Sequence, residues 1–294
     1  MVFIIGKRKS KAKDSNIELK ELSFNFYLNP SIKKQYIRIY DVLTDTHDRT
    51  YSAIYESLMT NIDEIQKEYE EEAERKISSN FDPEYSDYGD YLEAIQFYVF
   101  DRLDEQFLMH YQFKLMSLSN LYQVFEQQLR KWLYEEMTQP INEYSNQVKF
   151  IHFNEKNENN FDTFYSDFGK LSNLLAELEL SFTNLIGIEE LIIDTDIWKI
   201  IRECNLISNT YKHGSGRSAS NLSKLYPEYF EKIDSTRLMD FYRTTNLERV
   251  LSVDKISFKK YSDAMKEFWK NIKEHQSGTV KMEIEMNSDE EGSK

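Results

Sequence analysis

LMSLSNLYQVFEQQLRKWL, residues 115–133, sets Leu115, Leu118, Tyr122, Phe125, Leu129 and Trp132 at alternating steps of three and four. Such steps return to one side of a 3.6-residue helix, so the stretch reads as a helix with a buried seam. Neither Pro nor Gly occurs over residues 91–139, so the helix can run well past the seam. Upstream, residues 31–78 are equally free of both, with Ile32, Tyr36, Ile39 and Leu43, then Tyr51, Ile54, Leu58, Ile62 and Ile65, at helical spacing. Between the two lies NFDPEYSDYGD, residues 80–90, where Pro83 and Gly89 break helix and Asp and Ser supply turn chemistry. One long helix or two in line, a turn and a second long helix predict a long antiparallel helical hairpin.

Further along, Pro140 stops the second helix and the polar NEKNENN, residues 154–160, reads as a surface loop. Phe164, Phe168, Leu171, Leu175 and Leu178 then share one side of a helix, and Gly187 marks the next connection. A helix over residues 198–213 follows, with Asp194 or Thr195 as its cap and Asp196 at the positive end of its dipole. SASNLSKL gives a short helix before Pro227, residues 238–242 read as extended, and residues 252–273 form the last helix on Phe258, Tyr261, Met265, Phe268 and Trp269. ELSFNFYL, residues 21–28, alternates enough for a short strand that Pro30 ends. The expected fold is all-α with at most a minor β element, which suits 294 residues with 8 Gly, 4 Pro and 40% hydrophobic content. Three segments are expected: an arm over 1–30 with a basic cluster, a helical domain over 31–276, and an acidic, disordered tail over 277–294.

Charge and cysteine usage narrow the function classes. A net charge of -14 argues against broad attraction to nucleic-acid phosphates and leaves room only for a local site. Lys7, Arg8, Lys9, Lys11 and Lys13 fit a solvated arm or one that contacts RNA or a partner. One cysteine, Cys204, excludes an intrachain disulfide and a multi-cysteine zinc site, and points to a reducing, cytoplasmic setting. MVFII is too short for a signal-peptide core, and no run approaches the roughly 20 apolar residues of a membrane span, so no membrane partner is expected. Neither a metal nor a cofactor motif is found, and His47, His110, His152 and His275 are scattered as surface or packing residues.

The chemistry-bearing stretch is WKIIRECNLISNTYKHGSGR, residues 198–217. Ile200, Cys204, Ile207 and Tyr211 form a core stripe, while Arg202, Asn205, Asn209 and His213 gather on the opposite side at steps near 7 and 11. The core stripe makes Cys204 a buried, inert thiol. His213 precedes Gly214, which suits a helix C-cap with positive φ. Lys212 and Arg217 add positive charge beside the imidazole, a combination suited to general acid–base attack on a phosphodiester.

SNTYKHG, residues 208–214, resembles the active helix of HEPN domains, all-helical modules of RNases in toxin–antitoxin and phage-defence systems. The family pattern is Arg, a polar residue that is usually Asn, a short spacer and His. Asn209 and His213 match, and Ser208 stands at the Arg position. Glu126, Arg130 and Lys131 in E-x-x-x-R-K are similar to a pattern on another helix of some HEPN proteins, and the resemblance covers residues 105–275, with 31–104 as an elaboration. It implies a HEPN-like helical bundle whose homodimer faces two motif helices across a cleft. It further implies a metal-independent RNase with His213 as acid/base, Asn209 positioning, and Arg202 with Lys212 stabilising charge. Asn205, Arg217, Glu126 and Arg130 would then be binding residues. The other outcome it allows is a non-catalytic assembly or sensor subunit that binds a protein or nucleic-acid partner.

Overall fold

The computed structural model describes residues 17–79, 81, 87–138, 161, 167–183 and 189–285, and the structural statements below concern these. The 7–13 basic cluster, Pro83, Pro140, His152, the 154–160 segment, Phe164, Gly187 and residues 286–294 lie outside them.

The fold is all-α with minor strand pairs. Its helices are α1 (Pro30–Ile54), α2 (Glu56–Thr60), α3 (Ile62–Ser78), α4 (Tyr88–Thr138), α5 (Phe168–Glu177), α6 (Asp196–His213), α7 (Arg217–Leu225), α8 (Leu238–Tyr242) and α9 (Phe258–Asn271). The strands are β1 (Ile17–Tyr27), β2 (Ser181–Thr183), β3 (Glu189–Leu191), β4 (Lys232–Ile233), β5 (Thr236–Arg237) and β6 (His275–Glu285). They make three two-stranded antiparallel sheets, β1 with β6, β2 with β3 and β4 with β5. The upstream arm of the expected hairpin comes in three pieces, interrupted at Tyr55 and at Asn61, whose φ of -129° leaves the helical region. All six seam residues of α4 are buried, none more than 3% exposed.

Two expectations fail. Residues 277–285 do not form a disordered tail: they belong to β6, paired with β1 from Ile17↔Glu285 to Tyr27↔His275. Residues 238–242 are helical, since the Arg237 guanidinium grips Asp240 in the first turn at 2.9 and 2.7 Å and Arg243 closes the turn at φ +59°.

Contacts divide the chain into two compact units that interleave in sequence, because α1, α4, α6 and α9 each give residues to both. The division therefore follows neither 31–104 nor 105–276. Unit one comprises residues 1–40, 122–202 and 260–294. Its core is aromatic: Phe125 meets Phe268 edge-on at 5.0 Å, Trp132 meets Trp269 at 6.2 Å, and Phe168 stacks on Trp198 at 4.9 Å. Tyr40 is fully buried in that core, and its hydroxyl donates to Gln128 Oε1 at 2.5 Å while accepting from Trp269 Nε1 at 3.3 Å. Burial holds this hydroxyl above its ordinary range. On β1, Phe24 and Phe26 are buried in alternation with exposed Asn25 and Tyr27, and Leu28, just past its end, is buried too. Its end is fixed where Tyr27 N–H donates to Glu136 and the Trp132 indole donates to the Tyr27 carbonyl. On the partner strand, Gln276 is buried and donates to the Ser181 carbonyl at 3.0 Å.

Unit two comprises residues 41–121 and 203–259. Here the N-terminal part of α4 runs antiparallel to the helices before it. Tyr98 bonds Glu72 and Lys76, Arg102 lies over Tyr69, and His110 meets Tyr51, so numbers rise on one side as they fall on the other. His47 stacks flat on Phe258 at 4.1 Å, and His110 is 3% exposed between Tyr51 and Tyr55. Both are packing histidines, as is His275 of unit one, against Tyr27.

Two outcomes test this architecture. Removing residues 275–294 deletes the partner of β1 and should lower stability to urea by at least ~2 kcal/mol, the scale of a few lost ladder hydrogen bonds; an unchanged unfolding midpoint would contradict the pairing. Burial, then the Lys114 ammonium, lowers the His110 pKa below its ordinary value, with Asp254 opposing. The unfolded chain thus binds more protons between the folded and unfolded values, and this part of the stability is lost as pH falls below about 6.5. The loss of stability between pH 7 and pH 5 should therefore be smaller in His110→Phe than in wild type.

Candidate functional site

The candidate site is built at the end of α6. Thr195 caps the start of this helix, its hydroxyl accepting from Trp198 N–H at 3.2 Å, as one of the two residues expected to do so. At the other end Gly214 takes φ +65°, and its N–H donates to the Thr210 carbonyl at 2.9 Å. A Cβ built at Gly214 would lie 2.4 Å from the Arg243 carbonyl oxygen, which also accepts from Ser215 N–H at 3.2 Å. Only glycine meets both demands. Two residues on, Gly216 starts α7 with no side-chain cap, which leaves the first N–H groups of that helix free to add partial positive charge.

Lys212, His213 and Arg217 are exposed around this turn, and so is Arg243, whose backbone abuts it. They make a basic corner on a chain of net charge -14. The corner is held from behind by a polar lattice in unit two. Tyr211 donates to Gln112 at 2.8 Å, Gln112 donates to the Thr245 and Asn246 carbonyls, and Thr245 donates to the Tyr211 carbonyl.

The remaining expected residues are placed differently. Asn209, one turn before His213, is half-buried. Asn205 is 5% exposed and its amide nitrogen finds no hydrogen-bond partner, so it does not belong to a wet strip. The expected division of α6 into core and wet faces fails because residues 203–208 are all buried, which surrounds the middle of the helix. Ile200 and Tyr211 of the expected stripe are only half-buried, while Cys204 and Ile207 are fully buried. Glu203, on the other flank, is buried and accepts from the Tyr229 hydroxyl at 2.5 Å.

Arg202 is exposed and belongs to unit one. It stands eleven positions before His213 along α6, whose later part belongs to unit two. Glu126 and Arg130 also belong to unit one, where Arg130 donates to the Phe161 carbonyl at 2.9 Å and lies 4.9 Å over its ring. Arg130 is thereby engaged as an anchor. Arg243 is the residue that sequence reasoning missed. Nothing local announces it, because its place beside Gly214 arises from a contact 29 positions away and from its own left-handed φ of +59°.

Among the described residues there is no group of three or more His, Cys, Asp or Glu placed to hold a metal, and no helix long and apolar enough to cross a membrane. Comparison with known families, with curated proteins and with solved structures returns no match.

The corner makes a sharp demand on one residue. Gly214→Ala forces a methyl against the Arg243 carbonyl at positive φ and should destabilise the protein by ~2 kcal/mol or more in urea unfolding. A loss under ~0.5 kcal/mol would show that the turn relaxes freely.

Proposed function

We propose that this chain is a HEPN-like subunit, of the kind found in cytoplasmic toxin or antiphage defence systems, that binds RNA as a homodimer through the basic corner at the end of α6. The clustering of Lys212, His213, Arg217 and Arg243 around Gly214 carries this reading. An exposed arginine there can hold a phosphate oxygen by a charge-assisted hydrogen bond, and the uncapped start of α7 adds to the field. Binding needs no further group. Cleavage does need one, and Ser208, at the position the resemblance gives to Arg, is 0% exposed.

The metal-independent RNase reading keeps one supporting observation: His213 is exposed with Asn209 a turn before it, a possible acid/base and its positioning amide. One experiment separates the two. Full-length protein is mixed with single-stranded RNA in EDTA, with binding and cleavage followed together and the oligomeric state measured by sizing. The binding reading expects salt-dependent association without turnover, and Arg243→Ala should cut the slope of log K against log salt by about 0.7. Turnover abolished by His213→Ala would replace it with the RNase reading. Absence of any RNA association would remove both.

A further inference from the structure

In the unit-two part of α4, Glu93, Phe97, Phe100 and Asp104 follow one another at steps of four, three and four, and all are exposed. Those steps put them on one side of the helix. It is the side away from α3, which Tyr98 and Arg102 meet through Glu72, Lys76 and Tyr69. Phe97 is 60% and Phe100 68% exposed, two large rings in water one turn apart. Single apolar side chains on a surface are ordinary, whereas paired phenylalanines among carboxylates make a contact face with a definite chemistry.

The same pair of helices shows what suits such a face. Lys76 lies 4.9 Å over the Tyr98 ring while bound to Glu72, and Arg102 lies 5.3 Å over Tyr69 while bound to Glu105. Arg249 likewise lies 5.4 Å over Phe107 while bound to Asp104. Three times a cation covers a ring and is held there by a carboxylate. Phe97 has Glu93 and Asp101 four positions to either side, and among the described residues no cation reaches them. From residue 88 to 109, Asp90, Glu93, Asp101, Asp104 and Glu105 stand against Arg102 alone. An occupant that completes this face must bring cations and apolar side chains together.

One stretch of the chain does so. MVFIIGKRKSKAK, residues 1–13, sets Val2, Phe3, Ile4 and Ile5 before five cations in seven positions, the densest basic cluster in a sequence of net charge -14. Segment and face are opposite in charge and both apolar, so two chains can exchange them symmetrically, each giving one segment and taking one. We propose that the Phe97 and Phe100 face of α4 docks residues 1–13 of a second copy of this chain. Lysine and arginine side chains cover the rings against Glu93 and Asp101, and the apolar residues shield the remaining ring surface. No residue of the basic corner takes part, so failure of this contact would leave the RNA reading untouched.

The test uses RNA-free full-length protein and a labelled synthetic peptide of residues 1–16, with binding read by fluorescence anisotropy. Dilute protein should bind the peptide, less tightly in high salt, and as well as a chain lacking residues 2–13 does. Phe97→Ala with Phe100→Ala should weaken the peptide at least about tenfold, and so should Glu93→Lys with Asp101→Lys, all on the exposed face. In sedimentation the full chain should associate as concentration rises, and either the deletion or the double phenylalanine change should weaken this at least about tenfold. Peptide binding that appears only after the deletion would assign the segment to its own copy and overturn the exchange. Absence of binding at about 100 μM peptide, or binding and association that survive the substitutions, would overturn it as well.

Discussion

A helix of 51 residues cannot hide its own apolar seam, and this constraint on α4 governs the rest of the structure. At 1.5 Å per residue it is about 76 Å long, several times the mean helix of a soluble domain. Cover has to come from segments far apart in sequence. In unit one, Phe125 and Trp132 are met by Phe268 and Trp269 of α9, and Phe26 of β1 closes on Trp132 at 6.3 Å. In unit two, Phe113 is met by His47 at 5.3 Å and Tyr55 at 5.1 Å. Early and late parts of the chain thus converge on one helix within each unit, which is why both units are discontinuous.

The second constraint is polar. In its middle α6 buries the Asn205 amide and the Ser208 and Thr210 hydroxyls without partners, beside a Glu203 carboxylate satisfied by Tyr229. Each orphaned group opposes folding by about 1–3 kcal/mol, so apolar packing around Cys204, Leu206 and Ile207 has to hold the helix in place. Ser208 is small enough for a site with 0% exposure, where a long charged side chain would need room and a partner.

Periodicity made legible whatever had one dry and one wet side. The seam of α4, the Phe258 to Trp269 set of α9 and Leu171, Leu175 and Leu178 are all buried as their spacing implies. Caps were legible too, because Thr195 and Gly214 act through local chemistry. Two kinds of information were missing. The pairing of Ile17 with Glu285 joins the ends of the described chain, and no nearby residue signals it; the acidic composition of the tail pointed instead to disorder. A helix buried on all sides gives no usable hydrophobic stripe, so the polar residues of α6 suggested a wet face that Asn205 does not occupy. For the candidate site, the chain carried three of the corner residues within six positions, and the fold added Arg243.

A basic corner on an acidic chain has consequences for what it can hold. Screening at physiological salt limits the reach of exposed charge to about 8 Å, so Lys212, Arg217 and Arg243 act on groups at the corner while the net charge of -14 is felt by anything that spreads beyond it. A long rigid duplex would carry its other phosphates beyond the corner, where the net charge of the chain opposes them. A flexible single strand can set a few phosphates on the corner and bend the remainder into solvent. If RNA is the partner, as proposed, the net charge of the chain suits a single strand or an RNA end better than a duplex.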